Sequence, residues 1–344
     1  MLSRLQWARL PGVLLLVLAL AACATGGALS TADLPAIAGR TYVLVGASSG
    51  FGQGVALKLA AHGANVVLAA RRAGLLEEIA SKARASGGAA LVVPMDISKP
   101  EDVERLRDAA VGRFGQVDTW INFAGIGAIG PFWDIPISDH ARVVDVNLTG
   151  VIYASHAALT LYRSQGYGTL INLGSVESEV PVAYHASYAA TKGGIRNLDE
   201  AINQELRLAG LSRIKVATVE PWAVDTPFWV HAANYSGRTP CMPMMDDPEK
   251  VVDAIIWLSL YPQANLPVGW KAQAVWFSHH IMPQFSERLA ADIAYRHQIA
   301  GGTPAAATPG NLFTPVEAGR GVRGNACEKL SNEGAAPAAE LRPK

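Results

Sequence analysis

The sequence contains few cysteines, few charged residues and no apolar run long enough to span a lipid bilayer as a helix. Only three cysteines occur in 344 residues, Cys23, Cys241 and Cys327, and their spacing matches neither a metal site nor a disulfide scaffold. We expect free thiols, with a Cys241–Cys327 pair outside the cytoplasm as the alternative. The 29 basic and 29 acidic residues cancel, so the overall charge gives no reason to expect nucleic acid as a partner.

The N-terminal residues have the pattern of a bacterial export signal. Arg4 and Arg9 precede an apolar run at 13–22, which is too short to cross a bilayer. The run ends in Leu20-Ala21-Ala22-Cys23, which resembles the lipobox at which bacterial lipoproteins are cleaved and lipidated. This resemblance implies a signal at 1–23, a tether at 24–37 and a domain anchored to a membrane, on the periplasmic side, through lipid on Cys23. The alternatives are a plain signal anchor, or a wrongly assigned start before a cytoplasmic enzyme.

From Arg40 onward, apolar stretches alternate with helical ones, and half of all residues are hydrophobic, which suffices for a large core. The stretches rich in Val, Leu and Ile predict buried parallel strands at 41–46, 65–70, 89–94, 117–122, 169–173 and 214–219, with a seventh near 272–277. Helices are predicted near 51–62, 74–85, 100–113, 138–165, 187–209 and 248–260. The predicted fold class is therefore α/β, a doubly wound parallel sheet of the Rossmann type, with about seven strands and helices on both faces.

The other segments of the body are less regular. Residues 222–247 contain several prolines, aromatic residues and methionines, and we interpret them as a flap over a pocket. Apolar residues at helical spacing predict a C-terminal helix at 281–300, packed on the domain or on a second subunit. Residues 301–344 are rich in Gly, Pro and Ala and are predicted to be disordered. The catalytic domain is thus expected to span 38–280.

A glycine-rich turn lies where the first predicted strand meets the first predicted helix. It reads Gly46-Ala47-Ser48-Ser49-Gly50-Phe51-Gly52. Glycines permit a tight turn and let the backbone approach a pyrophosphate closely, and the N–H groups that begin the helix can bind that anion. Between a strand and a helix, this turn predicts a dinucleotide-binding site.

Basic residues follow the second predicted strand, where an NAD site usually places an acidic one. An Asp or Glu there would bind the ribose 2′-hydroxyl, but this chain has Arg71 and Arg72. Arginine suits a 2′-phosphate because its planar guanidinium group can bind two phosphate oxygens at once. The sequence therefore favours NADP over NAD; the alternative is that one or both arginines are solvated at a helix start.

Together with four further residues, this pattern resembles the short-chain dehydrogenase/reductase family over about 38–277. The glycine turn matches the family's Gly-x-x-x-Gly-x-Gly, and Tyr188-Ala189-Ala190-Thr191-Lys192 matches its Tyr-x-x-x-Lys. Ser175 lies thirteen residues before Tyr188, as the family's catalytic serine does, and Asn147 stands where its catalytic asparagine falls. The resemblance implies hydride transfer between a nicotinamide cofactor and an alcohol or ketone, with Ser175, Tyr188, Lys192 and Asn147 as the catalytic residues.

The chemistry of the reaction explains these residue types. Hydride transfer to a carbonyl leaves an oxyanion that needs a proton, which Tyr188 can supply, although a free tyrosine has a pKa of about 10. Lys192, one helical turn away, is expected to lower the pKa of Tyr188 and to bond the nicotinamide ribose. Ser175 is expected to donate to the developing oxyanion, and Asn147 to hold a water that links Lys192 to solvent.

The resemblance also implies a wider set of cofactor contacts, with Asp96 near the adenine. The predicted cofactor-binding residues are Gly46, Ser48, Ser49, Gly50, Phe51, Gly52, Arg71, Arg72, Asp96, Ile97, Asn122, Ala124, Gly125, Tyr188, Lys192, Pro221 and Thr226. The chain departs from the family pattern at Val45, where Thr is frequent, at Phe123, which replaces the second Asn of Asn-Asn-Ala-Gly, and at Trp222, which replaces a glycine. These departures bear on cofactor affinity and pocket shape rather than on the type of reaction. No metal site is predicted. His185, three residues before Tyr188, is expected to be packed or exposed, with the alternative that it reaches the pocket.

The leading hypothesis is a reversible oxidoreductase acting on an alcohol or ketone. Aromatic residues and methionines in the flap favour a moderately hydrophobic substrate. The alternative is a membrane-attached scaffold or sensor that binds a dinucleotide without turnover, because free NADP is scarce outside the cytoplasm. The family implies a homodimer or homotetramer, and no nucleic acid is expected as a partner.

Overall fold

The computed structural model of the protein describes residues 27–325, so the predicted signal and lipobox lie outside the described residues. Strands and helices alternate through the body. The strands are β1 (Thr41–Val45), β2 (Asn65–Ala70), β3 (Ala89–Pro94), β4 (Thr119–Asn122), β5 (Ala128–Ile129), β6 (Gly168–Leu173), β7 (Ile214–Pro221), β8 (Ala233–Asn234) and β9 (Asn265–Val268). The helices are α1 (Gly50–Ala61), α2 (Ala73–Ala85), α3 (Pro100–Phe114), α4 (Ile137–Val144), α5 (Gly150–Gln165), α6 (Ala186–Leu208), α7 (Phe228–His231), α8 (Pro248–Leu260), α9 (Gly269–Ile281) and α10 (Pro283–Ala294).

The main sheet confirms the predicted fold class. Its seven strands lie in the order β3-β2-β1-β4-β6-β7-β9, and every neighbouring pair is parallel. Alternate residues of β1 enter different cores, Tyr42 and Leu44 on one face and Val43 and Val45 on the other, because side chains alternate along a strand. Helices α1, α2 and α8 cover the first face, and α3, α5 and α6 cover the second. The chain reverses its direction of winding between β1 and β4, which is where such sheets bind ligands.

Two predicted elements differ from the structure. The seventh strand was expected near 272–277 but lies at β9, and the expected stretch belongs to helix α9. The helix expected at 138–165 is divided into α4 and α5 by a π-helical turn at Asp145–Thr149. A short parallel pair formed by β5 and β8 lies outside the main sheet and was not predicted.

Both ends of the described chain pack against the body. Within the predicted tether, Ile37 is fully buried and Asp33 accepts a hydrogen bond from Tyr261. The prediction of disorder after Ala300 is wrong for 301–325. Residues 302–324, which we call the strap, cross the molecule and bury Leu312 completely. Residues 326–344 lie outside the described residues.

The flap is held by covalent and hydrogen bonds. Cys241 is disulfide-bonded, which contradicts the expectation of a free thiol there, and Cys23 and Cys327 both lie outside the described residues. Thr239 of the flap donates its backbone N–H to Thr303 of the strap at 2.9 Å. Over the range 27–325, none of the helices combines the length and the hydropathy that a membrane crossing requires.

Candidate active site

A cavity of about 310 Å³ opens at the carboxyl ends of the central strands. The glycine turn, Arg71, Arg72, Ser175, Tyr188 and Lys192 all line this cavity. All predicted cofactor-binding residues except Asn122 line the cavity. All predicted catalytic residues except Asn147 line it as well. The sheet therefore brings together, at the carboxyl ends of its strands, residues that are more than a hundred positions apart in the sequence.

The glycine turn is as tight as its sequence predicts. Gly46 has a φ of +98°, and a Cβ at this residue would lie 2.7 Å from the backbone nitrogen of Ala124. A Cβ on Gly52 would lie 2.4 Å from the Gly46 carbonyl oxygen. Helix α1 begins at Gly50, and Gly50, Phe51 and Gly52 of its first turn line the cavity. The Gly50 N–H donates to the Gly321 carbonyl at 2.8 Å. The turn has no room for a side chain at Gly46 or Gly52, and this leaves its backbone accessible to a diphosphate.

Arg72 closes the nucleotide end of the cavity. Its guanidinium group donates to the hydroxyl of Ser48 at 3.0 Å and to that of Ser49 at 2.8 Å. Burial lowers the pKa of Arg72, and likewise that of Arg71, below its ordinary value. Because a free guanidinium group has a pKa above 12, both side chains still carry a positive charge at neutral pH. Two cations at this end fit a cofactor that carries a phosphate there.

Asp96 has a partner that sequence analysis did not predict. Arg142 of α4 donates to the Asp96 carboxylate at 2.7 Å and to the Leu312 carbonyl at 3.0 Å. Burial acts to raise the pKa of Asp96, but hydrogen bonds from Ser98 and the Arg142 charge outweigh it, and the pKa is lowered. The pair was invisible in the sequence because 46 residues separate its members.

Ser175, Tyr188 and Lys192 meet at the other end of the cavity. Ser175 follows β6 and begins a short 3₁₀ turn, where its hydroxyl accepts the Glu177 N–H at 3.1 Å and also bonds Tyr188. Tyr188 and Lys192 lie on the first turns of α6, and the Lys192 ammonium group is 5.4 Å from the centre of the Tyr188 ring. Lys192 donates to the Leu173 carbonyl at 2.5 Å. The spacing in the sequence thus places both side chains on one face of the helix, as predicted.

The pKa of Tyr188 departs from the expectation. Burial raises it above the ordinary value and Glu177 raises it further, whereas the hydrogen bond with Ser175 lowers it. Burial lowers the pKa of Lys192 to about 8, against the opposing effect of Glu177. The expected lowering of the Tyr188 pKa by Lys192 is therefore not found in the protein alone, where desolvation and a carboxylate that was not singled out from the sequence raise this pKa.

Asn147 lies on the π-helical turn between α4 and α5. Its amide oxygen accepts the Ile126 N–H and its amide nitrogen donates to the Ile126 carbonyl, both at 2.8 Å. The side chain therefore fixes the segment that follows β4, next to Gly125. A Cβ built on Gly125 would lie 3.9 Å from the Lys192 ammonium group, so this segment runs close to Lys192. One lone pair of the amide oxygen is left for the water that was predicted there. Single π-helical turns often occur at functional sites.

Asn122 belongs to the sheet interior rather than to the cavity. Its amide oxygen accepts from Trp120 at 2.9 Å and its amide nitrogen donates to Asn172 at 2.8 Å. The prediction that Asn122 contacts the cofactor does not fit this geometry, because both ends of its amide group are bound inside the sheet. Its position at the end of β4 still sets the course of Ala124 and Gly125.

One buried hydrogen-bonded pair in the cavity wall was not predicted from the sequence. His185 bonds Glu177 through Nδ1 and Gln298 through Nε2, both at 2.9 Å. Burial acts to lower the pKa of His185, but Glu177 outweighs it and the pKa is raised. His185 is packed, as expected, yet it also lines the cavity, with its ring 6.3 Å from that of Tyr188.

The remaining wall is mostly apolar. The flap contributes Trp222, Phe228 and Trp229, and the ring of Phe228 lies 5.5 Å from that of Tyr188. Helices α9 and α10 add further side chains, among them Val275, Leu289 and Ile293. The indole N–H of Trp222 is buried and has no partner among the described residues, so it can donate to a bound molecule. Between Gly27 and Asn325, no group of three His, Cys, Asp or Glu side chains is arranged to hold a metal ion.

Comparison with known proteins agrees with this geometry. A family model for short chain dehydrogenases matches residues 40–234. The chain is 33% identical over 264 residues to an uncharacterised oxidoreductase of Bacillus subtilis, YxnA, covering 76% of this chain and 74% of that one. It is 36% identical over 232 residues to 3beta-hydroxysteroid dehydrogenase 1 of Eggerthella lenta, covering 64% of this chain and 87% of that one.

Two solved structures are similar in fold. An alcohol dehydrogenase from the archaeon Thermococcus sibiricus, complexed with 5-hydroxy-NADP, has a TM-score of 0.58 and 27% identity, covering 66% of this chain and 94% of that one. A short-chain dehydrogenase/reductase from Mycobacterium marinum has a TM-score of 0.61 and 25% identity, covering 71% and 99%.

Proposed function

Because the chain belongs to the short-chain dehydrogenase family and is an NAD(P)-dependent oxidoreductase, we propose that it uses NADP to interconvert an alcohol and a ketone in an apolar molecule. One observation carries this proposal. A single cavity holds Tyr188 and Lys192 at one end and Arg71 and Arg72 at the other. The first pair fits a reacting carbon and the second fits a phosphorylated ribose.

We assign the proton transfer to Tyr188. In oxidation the Tyr188 phenolate accepts the hydroxyl proton of the substrate, and in reduction the phenol returns it. Ser175 donates a hydrogen bond to the substrate oxygen, where negative charge develops. The Lys192 cation stabilises the phenolate, and Asn147 keeps the segment around Ile126 in place. When bound, the nicotinamide ring supplies or accepts the hydride.

Two features support NADP rather than NAD. Arg71 and Arg72 take the place where an acidic residue would bind a free 2′-hydroxyl, and the related alcohol dehydrogenase was solved with 5-hydroxy-NADP. The glycine turn, Ser48 and Ser49 would hold the diphosphate, and the two arginines would hold the 2′-phosphate. The adenine would lie beside Asp96 and Ile97.

The shape of the wall supports an apolar substrate. Aromatic residues of the flap and aliphatic residues of α9 and α10 line the same cavity as Tyr188, and apolar walls with few polar groups suit such ligands. The Eggerthella lenta relative is a 3beta-hydroxysteroid dehydrogenase, whose rigid apolar alcohols are of this class. We propose a fused-ring or similarly bulky secondary alcohol.

Substitution of Tyr188 tests the proposal. Tyr188→Phe removes the proton donor but keeps the ring, so we expect turnover to fall at least a hundredfold while NADPH binding stays within a factor of three. Turnover is measured across a panel of apolar alcohols and ketones, and binding is measured by NADPH fluorescence. Equal, measurable turnover in wild type and variant would overturn the assignment of the proton transfer to Tyr188. Binding of NADPH without turnover in either protein would favour a dinucleotide-binding scaffold or sensor.

We further propose that lipid on Cys23 holds the domain at a membrane surface and that the chain forms a homodimer or homotetramer. Exposed apolar residues on α4, α5 and α6, among them Ile137, Ile152 and Leu208, support an interface between copies. Size measurement by light scattering tests the assembly. Mass spectrometry of the purified chain, with the acyl mass located on Cys23, tests the lipid.

A further inference from the structure

The strap connects the flap to the opposite side of the cofactor cavity. At its start, Thr308 and Asn234 pair as antiparallel backbones, with hydrogen bonds of 2.8 and 3.0 Å between them. At its end, the Gly324 N–H donates to the Asp225 carbonyl at 3.1 Å. Both ends are therefore attached to the segment that forms the substrate side of the cavity.

The middle of the strap binds the arginines at the nucleotide end. Arg71 donates to the Asn311 carbonyl at 2.8 Å, and Arg72 donates to the Val316 carbonyl at 3.0 Å. Arg142 donates to the Leu312 carbonyl at 3.0 Å, and the Leu312 side chain is fully buried in the core on this side of the sheet. Three cations, two that follow β2 and one on α4, thus hold one stretch of strap backbone.

The strap also reaches the glycine turn. The Gly321 carbonyl accepts the Gly50 N–H at 2.8 Å, at the first residue of α1. The strap thus contacts the arginines that would bind the adenosine, the turn that would bind the diphosphate, and the flap on the side of the nicotinamide. A bound dinucleotide would have this segment between itself and solvent.

The space beneath the strap indicates a wall rather than a plug. The cavity remains open between the strap and the sheet, and Asn311, Pro315 and Val316 line it from the strap side. The amide oxygen of Asn311 is buried and has no partner among the described residues, so it is left for a donor on a ligand. A plug would be expected to fill the cavity and to satisfy its own buried polar atoms.

We propose that the strap encloses the bound cofactor and that NADP is retained through successive turnovers instead of exchanging freely. This inference rests on the proposed NADP-dependent function. Release requires the strap to leave the arginines, and Leu312, as its buried attachment point, sets the rate of that step. Leu312 is a positioning residue, because it acts on the cofactor through the strap backbone.

The test measures how fast NADPH leaves the full-length protein. Enzyme loaded with NADPH is mixed with excess NADP, and the loss of bound-NADPH fluorescence is followed with time. Leu312→Ala shortens the buried side chain without altering any strap hydrogen bond, so we expect release at least tenfold faster than in wild type. Phe313→Ala is the matched control, because the neighbouring side chain is 52% exposed, and it should release at the wild-type rate. Leu312→Met, which retains volume, should restore slow release.

The outcomes separate this inference from the function on which it rests. Equal release rates for wild type and Leu312→Ala, with both variants folded by circular dichroism, would overturn the enclosure and leave the oxidoreductase intact. Tighter NADPH binding by Leu312→Ala would also overturn it, because the strap would then be an inhibitory plug. Failure of wild type to bind NADPH at all would overturn both.

Discussion

At the scale of single residues, the reactivity of Tyr188 depends on the charges beside it. Glu177 raises the pKa of the phenol, and it also raises the pKa of the Lys192 ammonium group, which burial lowers to about 8. The carboxylate thus opposes formation of the phenolate while it favours the cation that stabilises a phenolate. Since both effects come from one side chain, a single substitution tests them.

We expect Glu177→Gln to shift the pH profile of alcohol oxidation to lower pH. Oxidation needs the phenolate, so its rate rises with pH through the pKa of Tyr188, and removal of a neighbouring negative charge lowers that pKa. The shift should be about one pH unit, the lower end of what an adjacent charge produces. The measurement is kcat/KM for oxidation against pH.

A carboxylate two residues away supplies the control. Glu179 pairs with Arg196 and His279 and does not line the cavity, so Glu179→Gln should leave the profile in place. A profile that moves upward with Glu177→Gln, or that moves equally with both substitutions, would contradict the assigned electrostatics.

Residue-level prediction succeeded where the partners are close in the sequence. Tyr188 and Lys192 are one helical turn apart, so their shared face follows from helix geometry alone. Arg142 and Glu177 were missed because their partners, Asp96 and His185, reach them only through the folded chain. No local pattern distinguishes such residues from solvated surface charges.

At the scale of elements, six of the seven strands of the main sheet could be located from apolar runs, and the seventh could not. The run at 272–277 is apolar enough for a buried strand but belongs to α9, since a short apolar run fits a buried strand or a helix equally well. The true strand, β9, contains Pro267, which argues against a central strand. The proline is tolerated because β9 is an edge strand and pairs only with β7.

The connection from β1 to α1 gives a prediction at this scale. Gly46→Ala would force a Cβ to within 2.7 Å of the Ala124 nitrogen, at a φ that L-residues rarely adopt. We expect unfolding free energy to fall by about 1–3 kcal/mol and NADPH affinity to fall at least tenfold. Urea unfolding and NADPH titration measure the two effects.

Gly74, near the start of α2, provides the comparison. No atom lies within 4 Å of a Cβ built there, and its φ is not in the left-handed region. Gly74→Ala should therefore leave NADPH binding unchanged and raise unfolding free energy by about 0.5–1 kcal/mol, because alanine favours the helix. A similar loss of binding with both substitutions would show that the turn geometry is not the cause.

At the scale of the whole molecule, the composition predicted the catalytic domain but not the ordered strap that follows it. The Gly, Pro and Ala content of the strap is typical of a disordered tail, because such residues bury little apolar surface. The strap is ordered instead by backbone carbonyls that accept hydrogen bonds from arginines elsewhere in the chain. Backbone acceptors are the same in every sequence, so this kind of attachment leaves no compositional signal.

The surface of the molecule bears on the proposed membrane attachment. Helices α9 and α10 and the residue between them, Met282, expose large apolar side chains to solvent. Those on the helices include Trp270, Phe277, Ile281, Phe285 and Leu289. The N-terminal segment of the described chain packs against the body at two places. Asp33 contacts Tyr261, and Gly27 lies beside Leu266. A Cβ built at Gly27 would lie 3.5 Å from Leu266 of β9 and 3.6 Å from Ala254 of α8. Cys23 lies four residues before Gly27 and outside the described residues.

We expect these helices to add to membrane binding by the lipid, because apolar side chains at an interface gain free energy as they enter it. Cys23→Ser should weaken but not abolish co-flotation with vesicles of phosphatidylethanolamine and phosphatidylglycerol. Further substitution of Ile281 and Phe285 by Ser should reduce the remaining binding at least tenfold. Leu208→Ser in the Cys23→Ser background is the control, since Leu208 is even more exposed than Ile281 and Phe285 but lies on α6. Residual binding that survives the Ile281 and Phe285 changes would exclude α9 and α10 as the contact. If the Ile281 and Phe285 changes instead convert a dimer into a monomer, the exposed surface of α9 and α10 is an interface between copies.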